Sequence, residues 1–153
     1  MTTNIHWKNK RFSQLTSNEL YDILKLRVDV FVVEQCCYYP ELDDLDRHQD
    51  TLHLFCYQGG RLSAYLRILA KGQSYPDHVA IGRVVITEQY RGTGMGHLLM
   101  NKSIQLCQQH FEQQPIKISA QAHLEGFYIQ HHFKRVSDVY LEDNIPHIAM
   151  IRD

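Results

Sequence analysis

The chain has 153 residues, which is enough for one domain with a sizeable hydrophobic core. Hydrophobic residues make up 44% of it and charged residues 22%, as in an ordinary globular protein. The formal net charge is -1, so no global basic field attracts nucleic acid or an anionic membrane, and neither is expected as a partner. No internal repeat or Pro/Gly/Ser-rich linker divides the sequence, and residues 1–153 are therefore predicted to form a single domain.

Targeting signals and cysteine spacing give the expected compartment. No apolar run approaches the ~20 residues that a membrane helix needs, and the opening stretch MTTNIHWKNKRF lacks the apolar region of a signal peptide. We therefore expect a cytoplasmic protein. Free thiols are expected rather than disulfides, because no C-x-x-C pair occurs among the four cysteines, Cys36, Cys37, Cys56 and Cys107.

The first third of the chain is predicted to form a strand, a helix and an acidic loop. Apolar Ile5 and Trp7 alternate with polar neighbours, which predicts a short strand over residues 4–8. Thr16 and Glu19 form a capping box that begins a helix, and the apolar run continues to Val33. Residues 36–50 are acidic and contain a proline, which predicts a loop. The carboxylates of residues 41–46 either attract an amine or are simply solvated.

The rest of the chain alternates strands with two helices. A Gly59-Gly60 dipeptide between apolar runs predicts a tight hairpin. Further strands are predicted at residues 79–87, 116–120, 133–141 and 145–151, and helices at 95–111 and 123–132. This order predicts a mixed sheet with helices on its faces, between the α+β and α/β classes.

The glycine-rich loop RGTGMG, residues 91–96, is at the start of the second long predicted helix. Helix N-termini and glycines suit phosphate, because free N–H groups point at the anion and no Cβ blocks its approach. No Lys-Ser/Thr follows the glycines, which excludes a Walker P-loop, and G-x-G-x-G is not the dinucleotide spacing G-x-G-x-x-G. The loop instead fits [RQ]-x-x-G-x-[GA], the pyrophosphate loop of acetyl-CoA-dependent N-acetyltransferases.

In that loop and its surroundings the chain resembles the GNAT (Gcn5-related N-acetyltransferase) superfamily, and within it the ElaA-type group. The likeness extends to LYDILKLRVDVFVVEQ, YYPELDDLD, AYLRIL, IGRVVIT, ISAQAHLEGFY and VYLEDNIPHIAM, and so covers most of the chain. It implies a mostly antiparallel twisted sheet with helices on both faces and two splayed parallel central strands.

The resemblance also implies a donor site and a catalytic residue. Acetyl-CoA would be the co-substrate, and its binding residues would be Val84, Val85, Ile86, Arg91, Gly92, Thr93, Gly94, Met95 and Gly96. Tyr128 matches the tyrosine that protonates the leaving thiolate in many such enzymes. His132 stands where the family pattern has glycine, and histidine adopts a left-handed helix end less easily.

The acceptor implied by the resemblance is a primary amine of a small molecule or peptide, acylated directly without an acyl-enzyme. Water or one of five side chains is the candidate general base by type, namely Glu34, His53, His123, Glu125 or His147. His123 and Glu125 are slightly favoured because they flank the end of the second splayed strand. No zinc-ligand spacing occurs, so no metal is expected.

Two alternatives stay open beside the leading hypothesis. The first is a non-catalytic acyl-CoA-binding or sensing module with the same fold, because no general base is evident. The second follows from LRVDVFVVEQ, which faintly resembles acyl-homoserine-lactone synthases. A homodimer is the commonest arrangement when a small enzyme self-associates.

Overall fold

The structure is a computed structural model that describes residues 4–153. Its strands are β1 (Ile5–Lys10), β2 (Leu52–Gln58), β3 (Arg61–Leu69), β4 (Val79–Ile86), β5 (Ile116–Gln121), β6 (Lys134–Arg135), β7 (Tyr140–Glu142) and β8 (Ile145–Arg152). Its α-helices are α1 (Ser17–Arg27), α2 (Met95–His110) and α3 (Glu125–Ile129). Within the described range, no helix is both long and apolar enough to cross a membrane.

The strands form one sheet in the order β1-β2-β3-β4-β5-β8-β6, and β7 pairs with β8 beside β6. Strands β4 and β5 are parallel, while the other neighbours run antiparallel. The predicted mixed, mostly antiparallel sheet is therefore confirmed. Its parallel pair lies at the centre, where the α2 crossover joins the two strands.

Helices cover both faces of this sheet. Adjacent residues of a strand point to opposite faces, so each strand can contribute to two hydrophobic cores. On one face, Leu54 and Leu66 pack with Leu99 of α2 in the larger core, which also includes Tyr128 of α3. On the other face, their chain neighbours Phe55 and Tyr65 belong to a second core, formed with Ile23, Leu26 and Val30. The two faces thus belong to different helices, α2 and α3 on one and α1 on the other.

The predicted capping box is present at the start of α1. The Glu19 amide donates to Thr16 Oγ1 at 3.1 Å, and the Thr16 amide donates to Glu19 Oε1 at 2.9 Å. The helix also continues past Arg27 as the apolar run predicts, but as a π-helical segment, Val28–Glu34. Such wide turns are rare and often occur at functional sites.

Two tight turns join neighbouring strands of the sheet, and the sequence predicts the first but not the second. Gly59 and Gly60 both have positive φ, as the predicted tight turn requires. The single strand predicted over residues 133–141 is wrong, because β6 and β7 are separated by a bend. Asp143 and Asn144 also adopt positive φ, at 50° and 64°, and so turn β7 back onto β8. Asp and Asn tolerate this conformation without glycine, so the turn carries no glycine signal.

Candidate active site

Strands β4 and β5 separate after two paired positions. They pair only at Val79–Ile116 and Ala80–Lys117 among the described residues. Beyond them, Arg83 has a φ of 53° at a register shift between β3 and β4, which places one extra residue in β4. A bulge of this kind bends its strand. The two strands therefore splay and leave a cleft through the sheet.

Three groups of residues line this cleft. The splayed strands contribute Ile81, Gly82, Arg83, Val84, Ile118, Ser119, Ala120 and Gln121. The π-helical segment and the chain after it contribute Phe31, Gln35, Cys37 and Tyr39. The remaining lining residues come from the region of α3 and from the β7–β8 hairpin, namely Leu124, Tyr128, Glu142, Asp143, Ile145 and His147.

The glycine loop forms the N-terminal end of α2, next to the end of β4. Gly92 and Gly94 have φ values of 75° and 85°, and Gly94 is the N-cap residue. Among the described residues, the backbone amides of residues 92–96 have no hydrogen-bond acceptor. Five consecutive free donors at the positive end of a helix dipole form an anion site. The Thr93 hydroxyl fastens the loop by donating to the Tyr90 carbonyl at 2.6 Å.

Arg91 lies at the rim of this loop and already has partners. Its Nε donates to the Ile86 carbonyl at 3.0 Å, and its Nη1 donates to Glu34 Oε2 at 2.9 Å. Both side chains of the Glu34–Arg91 pair are about half exposed, so water screens the attraction. The candidate base Glu34 is therefore an ion-pair partner of a donor-site residue and does not line the cleft.

Tyr128 reaches the cleft from the α3 side of the sheet. It is 6% exposed, and burial raises the pKa of its phenol to about 12. The phenol is therefore protonated at neutral pH and able to donate a hydrogen to a leaving group. His132 completes the turn beside it with a φ of 67°, and the Phe133 amide donates to the Tyr128 carbonyl at 3.2 Å. Histidine thus adopts the left-handed helix end for which the family pattern uses glycine.

Of the five candidate bases, His147 is the one that lines the cleft. His123 is exposed, and Glu125 pairs with Arg135 at 3.5 Å. His53 is 1% exposed, and its two ring nitrogens contact the Tyr65 hydroxyl at 2.8 Å and the Asp46 carbonyl at 2.9 Å. Burial lowers the pKa of His53, as expected of a neutral structural histidine.

The acidic segment before β2 is neither free nor simply solvated. Glu41 Oε2 accepts from Arg27 Nε at 2.7 Å and from Arg83 Nε at 2.8 Å. Asp46 Oδ1 accepts from Arg27 Nη1 at 2.8 Å and from Arg67 Nη1 at 3.0 Å. We call this set, completed by Asp43 on Arg67, the ionic network. Three of the four carboxylates in residues 41–46 are thus matched by guanidinium groups, whereas the Asp44 side chain is 82% exposed. The solvated interpretation therefore holds for Asp44 and fails for the other three.

Several cleft residues are not marked by any local sequence pattern. Arg83 enters through the β4 bulge, and Glu142 and Asp143 enter through the missed hairpin. The Val-Val-Ile run of β4 was expected to contact the donor, and of these residues Val84 lines the cleft. In the described part of the chain, no group of three or more metal-binding side chains is close together.

Comparison with known proteins places this geometry in a family. The model of the acetyltransferase (GNAT) domain family matches residues 21–153. The protein ElaA of Escherichia coli (strain K12) is 42% identical over 149 residues, which cover 97% of each chain. The relationship therefore extends over nearly the whole sequence.

Solved structures agree with that result. An acyl-CoA N-acyltransferase from Pseudomonas aeruginosa superposes with a TM-score of 0.93 at 45% identity, covering 98% of this chain and 100% of that one. The crystal structure of Escherichia coli ElaA gives a TM-score of 0.92 at 41% identity, with the same coverage. A CoA-dependent acyl-homoserine lactone synthase, BjaI, gives 0.75 at 16% identity over 98% of this chain and 82% of that one, which shows a shared fold alone.

Proposed function

This chain belongs to the GNAT acetyltransferase family, with the ElaA-type group as its near relatives, and on that premise we propose that it transfers acetyl from acetyl-CoA directly to a primary amine. It is an acyltransferase that uses acyl-CoA as co-substrate in general. The acetyl group, the amine acceptor and the residue roles are the parts that we propose. The observation that carries the proposal is the row of free amides from Gly92 to Gly96 beside the cleft.

The residues of the donor site fit a CoA thioester. A pyrophosphate matches the free amides of residues 92–96, since these donors need no charged side chain to hold an anion. Arg91 lies at the rim with a planar guanidinium suited to phosphate. The β5 side of β4 has no strand partner beyond Ala80 among the described residues, so its main chain can pair with the amides of an extended ligand.

Tyr128 supports direct transfer within a ternary complex. The acceptor nitrogen attacks the thioester carbonyl, the carbon–sulfur bond breaks, and the leaving sulfur takes a proton. The Tyr128 phenol is protonated at neutral pH because burial raises its pKa to about 12, and its side chain lines the cleft. No covalent acyl-enzyme is needed if both substrates meet in this cleft.

The proposal is tested with acetyl-CoA and a panel of primary amines. Calorimetry should give a dissociation constant for acetyl-CoA in the micromolar range, and amine-dependent release of the CoA thiol should follow. Tyr128→Phe should lower turnover about 10–100-fold while acetyl-CoA affinity changes less than about 3-fold, because only the proton donor is lost. Tyr21→Phe, at an exposed tyrosine of α1 outside the cleft lining, is the control.

Three results would contradict parts of the proposal. Absence of binding at millimolar acetyl-CoA would refute the donor site. Binding without thiol release across the panel would favour a sensing module over an enzyme. Unchanged turnover in Tyr128→Phe would remove the assigned acid while leaving the reaction in place.

A further inference from the structure

The cleft holds an oriented histidine beside a carboxylate. We propose that His147 is the general base of the reaction, with Glu142 as its positioning residue, and that the acceptor is an aliphatic amine that arrives as an ammonium ion. The inference rests on the proposed transfer to an amine and adds to it a proton acceptor and a substrate class. It is carried by strand register, hydrogen bonds and the position of the pair in the cleft.

Strand register brings the pair to one face of the sheet. Tyr140 of β7 is directly opposite His147 of β8, and His147 is also opposite Gln121 of β5. Because side chains alternate along a strand, Glu142 and Ser119 share that face with them. This is the face opposite α2 and α3, since Ile148 and Met150 of β8 belong to the core that those helices form.

Hydrogen bonds fix the histidine ring and its tautomer. His147 Nδ1 is 2.7 Å from the Ile145 carbonyl, which only accepts, so Nδ1 carries the hydrogen and neutral Nε2 carries the lone pair. Nε2 lies 3.3 Å from Glu142 Oε2. The negative charge of this carboxylate favours the imidazolium ion that forms when Nε2 takes a proton from the acceptor. The pair is therefore arranged to stabilise the imidazolium ion that proton abstraction produces.

Glu142 is itself held in place by two hydroxyl groups. Ser119 Oγ donates to Glu142 Oε1 at 3.2 Å, and since that hydrogen is used, the Tyr140 hydroxyl donates to Ser119 Oγ at 2.5 Å. The Tyr140 ring stacks on His147 with a centroid distance of 6.3 Å. The Glu142 side chain is 50% exposed and His147 only 9%, so the carboxylate connects the buried ring with bulk water.

The position of His147 complements that of Tyr128. Both residues line the same cleft, but Tyr128 belongs to the core on the α2 side, whereas His147 lies on the opposite face. A thioester carbonyl held in the splay between β4 and β5 would thus have the proton donor on one side and the proton acceptor on the other. Base and acid act on different atoms, the incoming nitrogen and the leaving sulfur, so opposite sides suit the reaction.

Each proton moved in the reaction has a donor and an acceptor. An ammonium acceptor first gives one proton to His147 Nε2, and its freed lone pair attacks the carbonyl carbon. The nitrogen loses its second proton to water as the carbon–sulfur bond breaks, and the sulfur gains one from Tyr128, which is reprotonated from solvent. After the amide product leaves, the His147 imidazolium gives the first proton to water. The products are an N-acetyl amide, the CoA thiol and one proton released to solvent.

This arrangement selects a substrate class. An aliphatic amine has a pKa near 10, so at neutral pH nearly all of it is protonated and a base is required. An aromatic amine is already neutral and needs none. The Glu142 and Asp143 carboxylates also line the cleft and favour a cationic acceptor over a neutral one.

The test compares two acceptor probes, benzylamine and aniline, in wild type, His147→Gln and Glu142→Gln. At pH 7, His147→Gln should lower kcat/KM for benzylamine by about 100-fold but for aniline by less than about 3-fold. Raising the pH toward the pKa of benzylamine should restore much of the lost rate. Glu142→Gln should show the same preference with about a 10-fold loss. His110→Gln, an exposed histidine at the end of α2, is the control.

The possible outcomes separate this inference from the proposed function. If wild type transfers acetyl to amines and His147→Gln loses both probes equally, or neither, the base assignment is overturned and the transfer stands. If wild type binds acetyl-CoA but releases no thiol with either probe or a wider amine panel, both are overturned. A long-range ¹H–¹⁵N spectrum gives an independent check, because a neutral His147 protonated at Nε2 instead of Nδ1 would refute the assignment whatever the kinetics show.

Discussion

At the residue scale, the glycines of the donor loop serve two different physical needs. Gly92 and Gly94 have positive φ and open space where a Cβ would lie, so their requirement is conformational. Gly96 has ordinary helical backbone, but a Cβ there would meet Ile86 Cδ1 and Phe127 at 3.4 Å. The first two set the direction of the loop amides, and the third lets α2 begin close to β4 and α3.

Gly94→Ala is expected to weaken acetyl-CoA binding about 10-fold, because a left-handed conformation costs an L-residue about 1–2 kcal/mol and the loop relaxes away from it. Gly72→Ala is a matched control, since Gly72 has a φ of 95°, equally open space and a position outside the cleft lining. Calorimetry with acetyl-CoA on both variants measures the effect. An affinity equal to that of wild type in Gly94→Ala would mean that the loop amides do not hold the ligand.

The donor loop and Tyr128 could be predicted from sequence because each lies within a short contiguous pattern. The sequence favours His123 and Glu125 as bases because they flank the end of the second splayed strand, but neither lines the cleft. His147 and Glu142 come together only through the pairing of β5, β7 and β8. Contacts of that kind depend on register, and a single sequence does not state it.

At the element scale, local signals predicted the elements well and long-range effects changed their shapes. The capping box and the Gly-Gly turn both act within four residues, and both are present. The bend between β6 and β7 and the bulge at Arg83 have no local signal. Contacts outside β4 hold the positive φ of Arg83. Its Nε donates to the Glu41 carboxylate, and its Nη2 donates to the Glu41 backbone carbonyl.

Glu19→Gln tests how α1 is tied to β1. Burial alone would raise the pKa of Glu19, but Lys10, Lys8 and the Thr16 amide outweigh it and lower that pKa from 4.5 to about 2. The ionised carboxylate therefore stabilises the fold above pH 4.5, and this contribution is lost as the pH falls toward 2. Urea unfolding at pH 7 should show a loss of about 1–3 kcal/mol in Glu19→Gln.

The same difference should shrink steadily in measurements at pH 5, 4 and 3, because Glu19 of the unfolded chain, with a pKa of 4.5, takes up a proton in this range, whereas in the folded protein its pKa of about 2 keeps it mostly ionised. Asp29→Asn removes the exposed Lys25–Asp29 pair at the far end of α1 and should leave the free energy of unfolding unchanged within error. A Glu19→Gln effect that is the same at pH 3 as at pH 7 would show that the carboxylate charge is not what joins β1 to α1.

At the scale of the whole molecule, the ionic network joins segments that lie far apart in the chain. Arg27 comes from α1, Arg67 from β3 and Arg83 from β4, and all three bind carboxylates in the loop before β2. Arg83 and Tyr39, which donates to Glu41 at 2.9 Å, also line the cleft. The network therefore fixes one wall of the site to the central sheet. Sequence alone showed an acidic loop but not the arginines that face it.

Asp46→Asn should destabilise the whole fold, because it leaves Arg27 and Arg67 with one fewer buried partner. Burial alone would raise the pKa of Asp46, but both arginines outweigh it and the pKa is lowered. Its stabilisation is therefore complete above the ordinary value of 3.8 and is lost as the pH falls below it. Removing one partner of a buried pair costs about 3–5 kcal/mol, so urea unfolding at pH 7 should show a loss of that order.

Stability of the variant should then fall less steeply than that of wild type below pH 4. Asp50→Asn, at an exposed carboxylate nearby, should match wild type in both respects. A loss under about 1 kcal/mol together with an unchanged acid slope would mean that the network positions the cleft wall without stabilising the molecule.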